Sequence, residues 1–532
     1  MMALTAKQVQ EAIDYYVVKR LESLPILVAF ANKLKLVEHV NRICPGETEI
    51  PHGEVALILG LNRLQAPKPL YSIADWYQQT ILPELLTIPN EQLYDVRLGR
   101  TLDALHPHRE KIWQAVATEA IRNFGISSRF LHYDITSIYF EGEYKENELI
   151  QYGYSRDGKN DCKQLNLGLT VAGDGGVPVF GRVLSGNTAD KTTPLENLKA
   201  LKKVFESDAR LRERLGEVIV VSDCAMVSPE VIVTYDRQGI GFIAPLQTTN
   251  EVKALLQNIA LEKMQMLSYR PKNQKQTEPN RYFGLRRLFP VTHDGATVDL
   301  TALVVYSTTK AKLDRQHRGA KMEKYETQLT AIKEKLNTRR YKKRAYVEQR
   351  LAKIRQGNSY HSLFNIELTG KDGALCLTFC VDPEKLSQNE ALDGKYLLAT
   401  NRGEQLSDED ILRNYKNQDT IEKRFSLVKG PIKVRPVFLE KPERIESLVL
   451  LCMIALLIYA LIDRQARKTL GITAKQMFKK LEGLALSQLC FIDGTKLWLD
   501  EKLSPSQIKI LKALACENAI PKWIKQLNEN SC

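Results

Sequence analysis

The chain has 532 residues, enough for roughly three domains of ~150 residues with sizeable buried cores. Its formal charge of +13 and pI near 9.1 fit a polyanionic partner. The nine cysteines are odd in number, scattered and without a CxxC pair, which argues against a disulfide framework or a zinc site, and the opening MMALTAKQVQ lacks an apolar signal core, so a soluble intracellular protein is expected.

Residues 1–125 read as helices and loops, among them AKQVQEAIDYYVVKRLESL, EVALILGLNRL and PHREKIWQAVATEAIRNFG, broken at CPGETEIPHG and QAPKPL. An all-helical N-terminal domain is expected. His106-Pro-His108 has the look of a metal pair, but no third ligand lies near it in sequence, and it is read as a helix-entry loop.

Residues 126–245 change to strand periodicity. LHYDITSIYF carries Asp134 and is followed by a turn at Arg156-Asp157-Gly158, the strand KQLNLGLTVAG, a turn at Asp174-Gly175-Gly176 and the strand VPVFGRVLSG. A helix, the strand EVIVVSD ending in Asp223, a helix from Pro229 and the strand IGFIAPL come next. Three antiparallel strands followed by alternating helix and strand make an α/β fold, the mixed sheet of an RNase H-like domain. Asp134 then lies on the central first strand and Asp223 at the carboxyl end of the fourth, where ligand sites of such sheets gather.

Residues 246–394 read as an inserted β-rich subdomain with a basic helical hairpin. Between Lys310 and Gln356 about 16 Lys/Arg face about 5 Asp/Glu, and Met322, Tyr325, Leu329, Ile332 and Leu336 keep the spacing of a helix seam. Cys376 and Cys380, alternating in ALCLTFCV, are read as buried thiols.

Core-like sequence resumes over 395–465 with the strand GKYLLATN and a capping-box start at Ser407 and Asp410. The run LVLLCMIALLIYALI, Leu448 to Ile462, is about 15 uncharged residues, short of the ~18–20 that span a bilayer, and is read as a buried helix. Residues 466–532 read as a helical C-terminal region.

Between these lies YKNQDTIEKRFSLVKG, read as one helix. At about 100° per residue Tyr415, Gln418, Glu422 and Lys429 fall within about 60° of one another, beside an apolar stripe of Ile421, Phe425 and Val428. The same pattern also suits an ordinary amphipathic helix with a polar flank. Asp134, Asp223 and Glu422 together are what a two-metal phosphoryl-transfer site needs, since two Mg²⁺ roughly 3.5–4 Å apart require acidic oxygens from separate elements. Asp157 and Asp161 are assigned to a turn and Asp190 to a helix start. His132, on the same strand face as Asp134, is read as a core histidine.

Tyr415-x2-Gln418-x3-Glu422-x6-Lys429 resembles the Y-x2-R-x3-E-x6-K signature of IS4-class insertion-sequence transposases. YDVRLGRTLDALHPHR, GYSRDGKNDCKQLNLGLTV, PVFGRVLSGNTAD and VVSDCAM are similar to its IS1634-like branch. The resemblance implies a DDE transposase with an RNase H-like fold that performs cut-and-paste transposition. Asp134, Asp223 and Glu422 would bind two Mg²⁺ or Mn²⁺, and Tyr415, Gln418 and Lys429 would contact DNA. The N-terminal domain and the basic stretch would add duplex affinity for terminal inverted repeats and target DNA. A homodimer on paired DNA ends, in a prokaryotic cytoplasm, is expected on the same ground.

Two departures accompany the likeness. Gln418 stands where the signature has Arg, and the four Trp (76, 113, 498, 523) all lie outside the inserted subdomain, where some members stack a flipped base. Two other readings stay open: a metal-dependent nuclease that cuts without joining, and a transposase-derived DNA-binding protein with impaired catalysis.

Overall fold

The computed structural model describes residues 10–46, 48–271, 279–432, 439–499 and 502–529. Along the chain the strands are β1 (Ile13–Arg20), β2 (Phe130–Phe140), β3 (Lys163–Ala172), β4 (Pro178–Ser185), β5 (Ile219–Val221), β6 (Gly241–Pro245) and β7 (Gln265–Leu267). They continue with β8 (Tyr282–His293), β9 (Ala296–Ser307), β10 (Phe364–Thr369), β11 (Cys376–Val381), β12 (Lys395–Thr400), β13 (Ala485–Phe491) and β14 (Lys496–Leu499). The helices used below are α1 (His52–Gln65), α2 (Asp95–Leu105), α3 (Arg109–Phe124), α4 (Thr308–Glu334), α5 (Arg344–Gln356), α6 (Asp408–Lys416), α7 (Asp419–Lys429) and α8 (Pro442–Leu470). Two compact units result, one of Met1–Ser222, Arg237–Gly241 and Asn417–Cys532, the other of Asp223–Asp236 and Phe242–Lys416.

In the first unit the strands run in the order β4-β3-β2-β5. The pairs β2–β3 and β3–β4 are antiparallel, while β5 runs parallel to β2 from Phe130↔Ile219 to His132↔Val221. This is the expected mixed, RNase H-like sheet, with β2 in its interior. The β3–β4 turn falls at Asp174-Gly175-Gly176, where Gly175 and Gly176 take φ of 78° and 63°; only glycine enters that region without strain. The turn is clamped by Arg424, which donates to the carbonyls of Gly175 (2.5 Å) and Gly176 (2.9 Å).

The apolar run 448–462 lies inside α8, a helix of 29 residues. By length and composition it could cross a membrane, but its most apolar stretch is 89% buried within the protein, as a helix apolar on all sides requires. It packs on α1, α2, α3 and β4. Bidentate pairs hold its two ends, Arg444 to Asp103 and Arg464 to Asp174.

The segment around IDYYVVKR departs from the helical reading: it is β1, paired antiparallel with β13, which pairs in turn with β14. Its Tyr-Tyr-Val-Val run favours a pleated, half-buried surface, and β13 supplies the partner that local sequence does not reveal. The β13–β14 hairpin likewise interrupts the helices of the C-terminal region.

In the second unit β6-β12-β9-β8-β7 form an antiparallel sheet. The hairpin β10–β11 packs with α4 and α5 around Tyr325, Leu329, Ile332, Val347, Leu351 and Leu377, with Met322 and Leu336 against them, which is the expected seam. Cys376 and Cys380 are exposed, not buried. The alternation is real but its faces are reversed, because Leu377 and Phe379, with more apolar area to remove from water, take the inner side of β11.

Candidate functional site

Asp134 is the fifth residue of β2, half-exposed between the buried Tyr133 and Ile135. It stands opposite Leu169 of β3, and its Oδ1 accepts the Ile135 N–H at 2.7 Å. His132 lies on the same strand face and is fully buried. Its Nδ1 is 3.1 Å from the Oε1 of Gln418, and Gln418 Nε2 donates to the Tyr133 carbonyl at 3.2 Å. An acceptor at Gln418 Oε1 requires the proton on His132 Nδ1. Burial holds the His132 pKa below its ordinary value, against the opposing pull of Gln418 and Asp419, which favours the uncharged ring.

Gln418 is the N-cap residue of α7, which packs on β2 and β3. Ile421, Phe425 and Val428 are buried, as the stripe predicts, and so is Arg424, whose guanidinium also reaches Asp463 at 3.4 Å. Glu422, one turn beyond Gln418, is exposed and makes no side-chain hydrogen bond or ion pair among the described residues. Lys429 closes the last turn, and its Nζ donates to Asp157 Oδ1 at 2.6 Å. The cation expected to face phosphate is thus neutralised by a carboxylate from the 156–158 turn.

The expected single helix over 415–429 is broken. α6 ends at Lys416, the i→i+3 bonds Thr420 N–H to Asn417 and Ile421 N–H to Gln418 tighten the junction, and α7 begins at Asp419. Asn and Asp compete with helical bonding through their own side chains, which suits them to such a junction. Tyr415 and Glu422 therefore stand on different helices. Ser407 does start α6 as expected: its Oγ accepts the Asp410 N–H (3.1 Å) and donates to the Asp410 carboxylate (2.9 Å).

In the second unit Asp223 is exposed at the head of a short 3₁₀ turn, Cys224–Met226, two residues past β5. Tyr415 lies within its electrostatic reach: burial raises the Tyr415 phenol pKa, and the Asp223 carboxylate and the Cys224 thiol raise it further. The neighbouring Lys416 sits among three tyrosine rings, its Nζ 5.6, 5.2 and 5.6 Å from the centroids of Tyr282, Tyr396 and Tyr415, within cation–π range. Burial lowers the Lys416 pKa, and Lys310 adds to the effect. Sequence reasoning missed this cage, whose tyrosines are far apart along the chain. It also missed the Gln418 tie to β2.

In the first unit the carboxylates of Asp134, half-exposed, and Glu422, exposed and unpartnered among the described residues, are oxygen donors of the kind a hard divalent cation takes. No group of three or more His, Cys, Asp or Glu converges to hold an ion among the described residues.

Residues 16–118, from β1 into α3, match a family described as a domain of unknown function, DUF4277. No curated protein matches the chain. Among solved structures it is similar to the cryo-EM structure of the piggyBac transposase synaptic complex with hairpin DNA, at 8% identity and a TM-score of 0.39, covering 95% of this chain and 84% of that one. It is also similar to the crystal structure of a pre-cleavage Mos1 transpososome, at 14% identity and a TM-score of 0.17, covering 40% of this chain and 63% of that one.

Proposed function

We propose that this protein is a DDE transposase of the IS4 class, IS1634-like, which cuts an insertion sequence from DNA at its terminal inverted repeats and joins it to a target, working as a homodimer in a prokaryotic cytoplasm. The observation that carries the reading is the tie from Gln418 to His132 and Tyr133. It fixes the helix that bears Glu422 against the strand that bears Asp134, so two of the three carboxylates belong to elements locked together.

In this reading Asp134, Asp223 and Glu422 hold two Mg²⁺ or Mn²⁺. The bound ions supply activation of a water or 3′-hydroxyl nucleophile and stabilisation of the leaving oxygen. The remaining work falls to the chain's own groups. Tyr415 donates a hydrogen bond from its phenol O–H to a phosphate oxygen beside Asp223. Lys429 exchanges Asp157 for phosphate when DNA enters. Gln418 acts through β2 rather than as a phosphate cation.

The test is cleavage of a duplex carrying the element's own end, in Mg²⁺ or Mn²⁺, by the wild type and by Asp223→Ala, with DNA binding followed in parallel. A wild type that cuts and joins, beside a variant that binds but does neither, supports the reading. Cutting without joined products points to a nuclease. Equal binding without cutting by either protein points to a DNA-binding relic, the reading that the loss of a cation at Gln418 favours.

A further inference from the structure

The hairpin of α4 and α5 carries two kinds of cation. Along its stalk several of them are spent on the protein itself, and the remainder, among them Lys321, Lys324 and Lys353, are spread along the two helices rather than clustered. Arg318 is buried and grips Asp393 at 2.5 and 2.9 Å, Lys310 holds Asp314, and Arg344 holds Glu348 and the carbonyls of Leu368 and Gly370. At the tip the balance changes. Residues 333–343 contain Lys333, Lys335, Arg339, Arg340, Lys342 and Lys343 against one acid, Glu334. All six are exposed, and among the described residues only Lys343 has an ion pair, with Asp372 at 3.2 Å.

The tip is also held in shape. Asn337 donates to the Leu375 carbonyl at 2.9 Å and accepts the Leu375 N–H at 2.7 Å, and the Gly373 N–H donates to the Lys342 carbonyl at 2.8 Å. Asn337 and Arg339 occupy the left-handed region, with φ of 61° and 42°, so the turn between the helices is a defined one. A charged surface ordered before binding loses less conformational freedom when a partner arrives.

We infer that residues 333–343 form a clamp that grips duplex DNA by its phosphates and reads no sequence. Closely spaced arginines and lysines with no acidic partners match a phosphate backbone. A membrane surface fits less well, because an anionic leaflet could hold the tip by charge alone but not by insertion: among the described residues no exposed large hydrophobic lies between Leu313 and Ile492. The inference rests on the proposed action on DNA but concerns binding alone.

The experiment measures binding of the full chain to a generic duplex across a range of salt. The triple variant Arg339→Gln, Arg340→Gln, Lys342→Gln is compared with a stalk variant of equal charge, Lys321→Gln, Lys324→Gln, Lys353→Gln. The tip variant is expected to reduce the slope of log K against log [salt] by about 2–3, at ~0.9 per phosphate contact, and to lose on the order of tenfold in affinity near ~0.1 M salt. The stalk variant should lose far less, and Arg339→Lys with Arg340→Lys should retain binding. Wild-type binding with an unchanged tip variant, or equal losses in tip and stalk, overturns the clamp while leaving the transposase reading intact. A wild type that binds no duplex overturns both. A tip variant that keeps duplex binding but no longer sediments with vesicles of equal parts phosphatidylcholine and phosphatidylserine assigns the tip to a membrane and overturns the clamp.

Discussion

His132 Nδ1 lies 3.1 Å from Gln418 Oε1, across 286 residues of sequence. The amide is suited to this place because it offers an acceptor to the histidine and a donor to the Tyr133 carbonyl at once. Arginine has no acceptor. Gln418→Arg, which restores the residue of the family signature, is therefore expected to leave the buried His132 N–H unpaired and cost about 1–3 kcal/mol. Denaturant titration checks this; a variant of undiminished stability that binds DNA more tightly would show that position 418 faces phosphate after all.

Arg424 and Asp463 form a buried pair, each side chain 7% exposed, beneath the β3–β4 turn. Removing the guanidinium leaves a carboxylate in the core and releases the carbonyls of Gly175 and Gly176. Asp463 keeps Arg467 at 2.9 Å and the Ala474 N–H at 2.9 Å, so Arg424→Ala should fall near the low end of the range for a broken buried pair, about 3 kcal/mol. Thermal unfolding measures it, and an unchanged Tm would mean that the clamp on the turn is dispensable.

What the sequence made legible follows from periodicity. The strand runs around Asp134 and before Asp223 are apolar, bounded by turns, and in the order an RNase H-like sheet needs, and the 3-4 spacing of Tyr325, Leu329 and Ile332 marked a real seam. Periodicity was silent at Asn417, because the apolar stripe of Ile421, Phe425 and Val428 lies wholly within α7 and carries no mark of a junction made by backbone geometry before it. Long-range pairs were also invisible. Nothing local to Lys416 announces Tyr282 or Tyr396, and nothing local to His132 announces Gln418. β1 shows the same limit, since its strand form depends on β13 from the far end of the chain.

Acid should weaken the N-terminal helices through two histidines. His52 is buried with Nδ1 3.2 Å from Thr101 Oγ1; burial lowers its pKa and Arg97 lowers it further. Burial lowers His39 as well, against the opposing carboxylate of Glu119. With folded-state values below the ordinary 6.5, the unfolded chain takes up protons first as pH falls. The stability these rings contribute is complete above about pH 6.5 and declines below it, by at most about 1.4 kcal/mol per pH unit for each. The Tm should drop between about pH 7 and pH 5, and His52→Gln should flatten that slope. A steeper slope in the variant would contradict the assignment.

Native thiol labelling tests the reversed face of β11. Cys224, Cys376 and Cys380 are exposed, whereas Cys44, Cys452, Cys490 and Cys516 are buried. Burial raises the pKa of the Cys44, Cys452 and Cys516 thiols, which removes the reactive thiolate as well as access to it. Under native conditions an aromatic disulfide reagent should modify Cys224, Cys376 and Cys380 in the fast phase, and the buried group only after unfolding. Peptide mapping identifies the sites. Rapid labelling of Cys224 with protection of both Cys376 and Cys380 would return those two thiols to the core and put Leu377 on the surface, which the packing of α4 and α5 around Leu377 does not permit.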